Sequence, residues 1–186
     1  MTLYAFALFV HVVGALLLST AFTAEGIALF QLRRATTGAG VRQWEGVAGL
    51  ARVFGPASVV TILASGLYMM VTSWGWVPWL AVGLFAWVLI AVLGAVNGIR
   101  MSVIVRQIAG DAPPGTGLQR RGFVISWLTR LAMAAGIVFL MTNKPDLVPS
   151  LLCILVAAAV GVAAGFAVTR TQDPTAVVGR PDPTGR

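Results

Sequence analysis

The stretch LYAFALFVHVVGALLLSTAFTAEGIALFQLRR, residues 3–34, decides the fold class of this chain. Residues 3–32 exceed the about 20 predominantly apolar residues that a helix needs to cross a membrane. No Lys or Arg precedes them, whereas Arg33 and Arg34 follow directly. Because basic residues beside membrane helices stay on the cytoplasmic side, the pattern predicts a first span that enters from outside. A cleaved secretion signal is disfavoured, since its apolar region is only about 7–15 residues long and follows a basic start.

Composition places the whole chain in the same class. Apolar residues make up 58%, charged residues 10%, and the mean hydropathy is +0.89, values outside the usage of soluble domains. The net charge of +7 comes from arginines beside apolar runs, which favours anionic lipid head groups over nucleic acid as partners. The single cysteine, Cys153, excludes an intrachain disulfide and a multi-cysteine metal site.

Four further apolar runs follow the first. The predicted spans are residues 3–32, 56–73, 77–102, 122–142 and 148–169. Eleven of the thirteen Lys and Arg residues lie in three stretches that alternating spans place on one side, which is then cytoplasmic. We therefore predict an all-α, polytopic bundle of five transmembrane helices over 1–169, with the N-terminus outside and the C-terminus inside. The expected location is the bacterial cytoplasmic membrane, and the polar segment 170–186 is expected to be a disordered cytoplasmic tail.

The connections carry weaker patterns. Apolar residues recur at helical spacing within 41–55, which predicts an amphipathic helix at the inner interface, either a collar or a docking helix for a partner. Gly55 and Pro56 predict a break or kink before the second span. Residues 108–119 are rich in Gly and Pro and are predicted to be a linker. The turn after the second span holds an aromatic belt of Trp74, Trp76 and Trp79.

Four polar side chains stand inside the predicted spans, namely His11, Glu25, Asn97 and Arg130. A charge near the bilayer centre costs at least about 2.5–3.5 kcal/mol, so such residues are expected to have partners. Glu25 and Arg130 each lie about 12–13 Å from the inner flank of their helix, at the same depth. We predict an ion pair between the first and fourth spans, with Asn97 close enough in depth to join the network. The pair is either a structural fastener or a proton or substrate site.

The only histidine, His11, lies on the outer half of the first span. One interpretation is a hydrogen bond within the bundle, with Tyr68, Thr72 or Thr142 as the partner. The other interpretations are proton transfer and ligation of a cofactor. The topology places three methionines in the same outer half, Met69, Met70 and Met141. Haem iron takes His with Met, and copper(I) is also compatible with these donors, whereas zinc would need more ligands.

Two G-x-x-x-G pairs favour close helix contacts, Gly94 with Gly98 and Gly161 with Gly165. Such pairs join helices either within the bundle or between two copies of the chain, so self-association through them stays open. Membrane lipids and other membrane subunits are the further partners expected.

Three segments carry a resemblance to a known family. LYAFALFVHVVGALLL (3–18), FGPASVVTILASGLYMM (54–70) and MTNKP (141–145) resemble bacterial integral membrane proteins of domain-of-unknown-function family 2269. That family is similar in layout to copper-resistance D-like and haem-associated protoporphyrinogen oxidase-like membrane proteins. The resemblance implies a small helical bundle with a His on its first helix, and it implies no established activity. The haem-associated group implies His11 as a haem ligand with a Lys on a later membrane helix, and the only Lys here is Lys144, at the outer end of span four.

No motif in the sequence indicates a reaction type, and no phosphate-binding loop occurs. The sequence therefore favours a non-enzymatic protein, a structural or accessory subunit of a membrane complex. One alternative is a haem-, pigment- or copper-binding membrane protein with His11 as ligand. Another is a small transporter.

Overall fold

The computed structural model describes residues 2–34, 38–109 and 121–170, and the regular structure in these ranges is entirely helical. The helices are α1 (Leu3–Arg34), α2 (Gly38–Met69), α3 (Pro78–Ala109), α4 (Arg121–Asn143) and α5 (Leu147–Arg170), with a π-helical segment, Met70–Trp74, at the end of α2. The prediction of an all-α chain with five long helices is confirmed. The predicted tail beyond Arg170, and all but the first two residues of the predicted linker, lie outside the described residues.

Each of the five helices is long and apolar enough to cross a membrane. The shortest, α4, has 23 residues, or about 35 Å at 1.5 Å per residue, against a hydrocarbon core of about 30 Å. The five helices indicate a multi-pass membrane protein. Their alternating directions give the bundle two ends. The arginine end carries Arg34, Arg100, Arg121 and Arg170, and the tryptophan end carries Tyr4, Trp74, Trp79 and Lys144.

The segment 41–55 is not a separate helix, because α2 runs without interruption from Gly38 through Pro56 to Met69. A proline removes one backbone donor from a helix, and one lost hydrogen bond does not end a helix that is held by its neighbours. The hydroxyl of Ser58, which is fully buried, donates to the Gly55 carbonyl at 2.7 Å beside the proline. A break at this position is therefore wrong, and the alternative of a kink stays a prediction.

The apolar face of that segment is covered by the bundle itself. Trp44, Val47 and Ala48 pack against Ala28 and Leu32 of α1 at the arginine end, together with partly buried residues of α3. The described part of this segment therefore joins α2 to α1, while Leu50 and Val53 on it remain exposed.

The largest helix interfaces are those of α1 with α2 and of α4 with α5, whereas α1 and α4 meet only over a short region. Between these pairs lies the main core cluster, made of Phe22, Ile62, Val82, Ala86, Trp87, Ile90, Met133, Ile137, Leu140 and Ile154. Because α1 and α4 touch so little, the two pairs leave open space along most of their facing sides. That space forms the larger cavity described below.

The two G-x-x-x-G pairs differ in their contacts with neighbouring helices. A Cβ atom added at Gly161 would lie 2.5 Å from the Cα atom of Thr129, and one at Gly165 would lie 2.6 Å from the Cα atom of Ile125. This pair therefore brings the backbones of α5 and α4 into direct contact within the chain. On α3, a Cβ at Gly94 would meet the Arg130 side chain at 3.0 Å, whereas one at Gly98 would meet nothing within 4 Å.

Candidate functional site

Glu25 on α1 and Arg130 on α4 form the ion pair that their equal depth predicted. Nη2 of Arg130 donates to Oε1 of Glu25, and the side chains are 5% exposed for Arg130 and 24% for Glu25. A buried guanidinium without a counter-charge is strongly destabilising, so Glu25 compensates a charge that Arg130 brings into the bundle. The two residues join helices that otherwise touch little.

Aromatic and small residues close the space around this ion pair. The Arg130 guanidinium carbon lies 5.6 Å from the ring centroid of Phe22, and α3 approaches it through Gly94. Trp127 donates from Nε1 to the Phe22 carbonyl at 3.0 Å, and a Cβ at Gly26 would lie 2.5 Å from its ring. Arg130 is therefore enclosed by packed side chains, which is the arrangement expected of a structural fastener.

Asn97 does not join the network. Its side chain is buried, with 8% exposure, but it makes no hydrogen bond to Glu25 or Arg130. Within the described ranges, its Nδ2 atom has no hydrogen-bond partner, and neither has the Nε atom of Arg130 or the hydroxyl of Ser126. The depth argument placed Asn97 at the correct level, but depth says nothing of rotation about the helix axis.

His11 is held by α2 through a hydrogen bond of 3.1 Å between its Nδ1 atom and the hydroxyl of Ser65. That hydroxyl donates its own hydrogen to the Thr61 carbonyl at 2.6 Å. Ser65 can therefore only accept from His11, which places the ring hydrogen on Nδ1. The other nitrogen, Nε2, then carries a free lone pair.

The polar contacts of the His11 ring are made with α2. Nδ1 bonds to Ser65 and the Ile62 backbone also lies within hydrogen-bond reach of the ring, whereas Nε2 is not a buried unpaired atom among residues 2–34, 38–109 and 121–170. The edge of the ring formed by Nδ1 and Cε1 lies against α2, since a Cβ at Gly66 would be 3.5 Å from Nδ1 and 3.3 Å from Cε1. The side chain of His11 is thus oriented on one side and open on the other.

The hydrogen-bond partners predicted for His11 are wrong. The hydroxyl of Thr72 donates to the Tyr68 carbonyl at 2.9 Å, and that of Thr142 donates to the Phe139 carbonyl at 3.0 Å. Sequence reasoning missed Ser65. A usable signal was present in the sequence, because Ser58 and Ser65 are seven residues apart, a spacing that puts both on one face of a helix.

His11 lines a cavity of about 300 Å³ at the tryptophan end, which we call the tryptophan-end cavity. All four residues predicted as cofactor ligands line it, namely His11, Met69, Met141 and Lys144. Met70 lines it as well and is 4% exposed. The structure therefore places the residues predicted as ligands around one space, although they come from α1, from α2 with its π-helical segment, and from α4 with the turn after it.

Aromatic residues form the rim of this cavity. The ammonium of Lys144 lies 4.0 Å from the ring centroid of Trp74, a cation–π contact. Trp74 donates from Nε1 to the Tyr4 hydroxyl at 3.4 Å and meets Trp79 edge to face at 6.0 Å. Lys144 adopts a φ of 49°, which is uncommon for a residue with a side chain. The side chain of Lys144 therefore contacts the aromatic rim through Trp74.

A second cavity, of about 860 Å³, lies between α1 and α4 and is called here the α1–α4 groove. It runs along α1 from Arg34 to His11. Five residues line both cavities and form a partition between them: His11, Ile62, Trp87, Ile137 and Met141. His11 is thus the polar residue of this partition.

Within the described part of the chain, no group of three or more His, Cys, Asp or Glu side chains could hold a metal ion. Any metal there would need thioether or amine donors in addition to His11. The thiol of Cys153 does not line this cavity. It lies between α5 and α4, where it contacts the Gly136 carbonyl at 3.8 Å.

Comparisons with known proteins found no relative of this chain. No protein-family model, no curated protein and no solved structure matches this chain.

Proposed function

We propose that this chain is a multi-pass membrane protein that binds a metal cofactor through His11 in the tryptophan-end cavity. One observation carries the proposal. His11 is oriented by Ser65 so that an unprotonated nitrogen remains open to a cavity that methionine thioethers also line. A histidine that only fastened two helices would not need a free second nitrogen beside a cavity.

The arginine distribution supports an orientation for the proposed protein. Because basic residues stay on the cytoplasmic side, the arginine end faces the cytoplasm, with the N-terminus outside and the C-terminus inside. The tryptophan-end cavity then opens toward the outer face of the bacterial cytoplasmic membrane. Trp and Tyr at that end match the aromatic belt of a membrane interface.

The donor set favours copper(I). Thioethers select copper(I), and imidazole also binds copper, whereas hard cations prefer oxygen ligands. His11, Met69, Met70 and Met141 supply one imidazole and three thioethers around the cavity. The hydrogen bond from Nδ1 of His11 to Ser65 is of the kind that orients metal-binding histidines in proteins.

Haem, which the family resemblance implies, fits less well. Nε2 of His11 suits an axial ligand, but Lys144 is occupied by the ring of Trp74. The volume of about 300 Å³ is at the lower end of the range of about 300–1,000 Å³ for ligand sites, which is small for a macrocycle. A bound copper ion would supply one-electron exchange, and we assign no catalytic residue.

The test is copper(I) titration of the protein purified in mild detergent, under reducing conditions and with a chromophoric chelator as competitor. We expect a single tight site that His11→Ala removes. Met69→Leu and Met141→Leu should weaken binding, whereas Met101→Leu, a methionine outside the cavity, is the matched control and should not. Equal copper binding by the wild type and His11→Ala would overturn the proposal.

The visible spectrum of protein purified from its native host separates copper from haem. A Soret band that disappears in His11→Ala would replace copper by haem and keep the role of His11. A colourless protein that also fails to bind copper would leave the second candidate function.

The second candidate is an accessory subunit of a membrane complex. It is favoured by Gly98, which faces open space, and by Ile99 and Val103 beside it, which are 65% and 47% exposed. If this part of α3 contacts another subunit, Gly98→Leu should reduce the mass of the complex extracted from the native membrane without lowering thermal stability. Gly122→Leu, at another open glycine, is the control.

A further inference from the structure

The α1–α4 groove has a shape that the metal site does not explain. Its lining begins at Gln31 and Arg34 at the arginine end and stops at His11 and Met141. From Arg34 to His11 the groove is about 35 Å long, at 1.5 Å per residue of α1. It stops about 12 Å short of Leu3, the first residue of α1. The groove therefore has a mouth at the arginine end of the bundle and ends inside it, at the residues that it shares with the tryptophan-end cavity.

The walls of the groove offer almost nothing to a polar ligand. The two hydroxyls on the α1 side belong to Ser19 and Thr23, and both donate to carbonyls of their own helix, at 3.0 Å and 2.9 Å. The α4 wall consists of apolar residues such as Ala134, Ala135 and Val138. An occupant that follows the groove must therefore be hydrocarbon over most of its length.

The mouth of the groove is different. Arg34 is exposed, and among the described residues that line the groove it is the sole charged side chain. It forms no ion pair with any residue that the structure describes. An exposed guanidinium at the entrance complements an anionic head group, and Arg is well suited to bind phosphate.

The length of the groove decides between lipid classes. One leaflet accounts for about half of a hydrocarbon core of about 30 Å, so the chain of an ordinary phospholipid anchored at Arg34 would fill less than half of the groove. A single chain that enters at Arg34 and fills the groove must therefore be longer than one leaflet.

We propose that the α1–α4 groove binds a long-chain isoprenoid phosphate, with its phosphate at Arg34 and its chain running along α1 toward His11. The inference rests on the proposed placement of the helices in a membrane, and it does not depend on metal binding by His11. The chain would cover the groove side of the partition, whose other side faces the metal site.

The test uses the full-length protein in nanodiscs of phosphatidylcholine that contain a small fraction of polyisoprenyl monophosphate. Native mass spectrometry then measures the fraction of protein that retains the lipid. Arg34→Gln should weaken retention about fivefold, the effect of one basic residue on an anionic lipid. Arg100→Gln removes an exposed arginine of α3 that does not line the groove, and it should leave retention unchanged.

A second pair of variants tests the chain rather than the head group. Ala135→Trp places a large ring in the groove and should abolish retention, whereas Ala163→Trp, on an exposed position of α5 outside the groove, should not. If Ala135→Trp lowers the thermal midpoint, Ser19→Trp, also exposed and on the α1 wall, replaces it.

Two further lipids distinguish the possible sources of binding. Phosphatidylglycerol tests the anionic head with a short chain, and polyisoprenol tests the long chain without phosphate. We expect both to bind more weakly than the isoprenoid phosphate. Equal retention of phosphatidylglycerol, or no effect of Arg34→Gln, would overturn the proposal. Copper binding by Arg34→Gln should be normal, so failure of the lipid site and failure of the metal site are separate results.

Discussion

Two polar centres occupy α1, and they are built in opposite ways. Glu25 and His11 are fourteen residues apart, about 21 Å along the helix, and each contacts a neighbouring helix through one polar bond. At Glu25 the partner is a charged residue of α4, Arg130, which packed side chains enclose. At His11 the partner is a serine of α2, and a cavity remains on the other side of the ring.

This difference indicates where a ligand can bind. At the ion pair, the charges of Glu25 and Arg130 satisfy each other and no lining residue of either large cavity belongs to the pair. At His11, one nitrogen is satisfied and the other is left with a lone pair and space in front of it. Nε of Arg130 also has no partner among the described residues, but Arg130 lines neither cavity, so an unsatisfied polar atom indicates a binding site only where a cavity lies beside it.

The largest loss of stability is expected from a substitution at the ion pair of Glu25 and Arg130. Glu25→Gln leaves the buried charge of Arg130 without a counter-charge and should lower the free energy of unfolding by about 3 kcal/mol. This is the lower end of the usual range, because Glu25 itself keeps 24% exposure. Denaturation in mild detergent, followed by circular dichroism, measures the change.

The control for this prediction is a variant in which the two charges of the ion pair are exchanged. The double variant Glu25→Arg, Arg130→Glu restores opposite charges and should regain part of the lost stability. If it is no more stable than either single variant, the pair does not act as a fastener and the contrast between the two centres fails.

A smaller effect is expected where α5 packs on α4. Gly161→Ala places a methyl group 2.5 Å from backbone atoms of Thr129, and overpacking of this kind costs about 1–3 kcal/mol. Gly98→Ala adds the same methyl group in open space and should change thermal stability very little. Equal losses in the two variants would contradict the assignment of the Gly161 pair to contacts within the chain.

At His11, we expect a substitution to change metal affinity much more than it changes stability. Ser65→Ala removes the hydrogen bond to His11, and interhelical hydrogen bonds in membranes contribute about 0.6 kcal/mol on average. Loss of an orienting partner, in contrast, weakens metal affinity about 10–100-fold. Thermal melts and copper(I) titration of the same sample test both parts. A variant that melts much earlier but binds copper normally would make Ser65–His11 a second fastener.

The smallest effect is expected at Asn97, whose Nδ2 atom has no partner in the described part of the chain. Asn97→Leu replaces an unsatisfied polar group by an apolar one of similar shape, which is neutral or slightly stabilising. A thermal midpoint equal to or above that of the wild type is the expected result. A clear loss would mean that Asn97 supports the ion pair after all.

The sequence predicted how deep the polar residues lie along their helices, but it did not predict which neighbouring helix each side chain faces. Counting residues from the helix ends placed Glu25 level with Arg130, and the structure pairs them. The same counting placed Asn97 at that level, where it makes no bond to either, and it placed Thr72 rather than Ser65 near His11. Depth follows from the rise per residue, whereas contact also depends on which faces of two helices meet.

The sequence by itself determined the number of helices, their apolar character and the identity of the polar residues within them, because burial in lipid requires about 20 apolar residues per crossing and makes every exception visible. Only the tertiary structure decided that α2 continues through Pro56, that Gly161 contacts α4 while Gly98 contacts nothing, and that His11 is left open on one side. These features depend on side chains from helices far apart in sequence. Their meeting is set by the packing of helix against helix, and no local pattern encodes it.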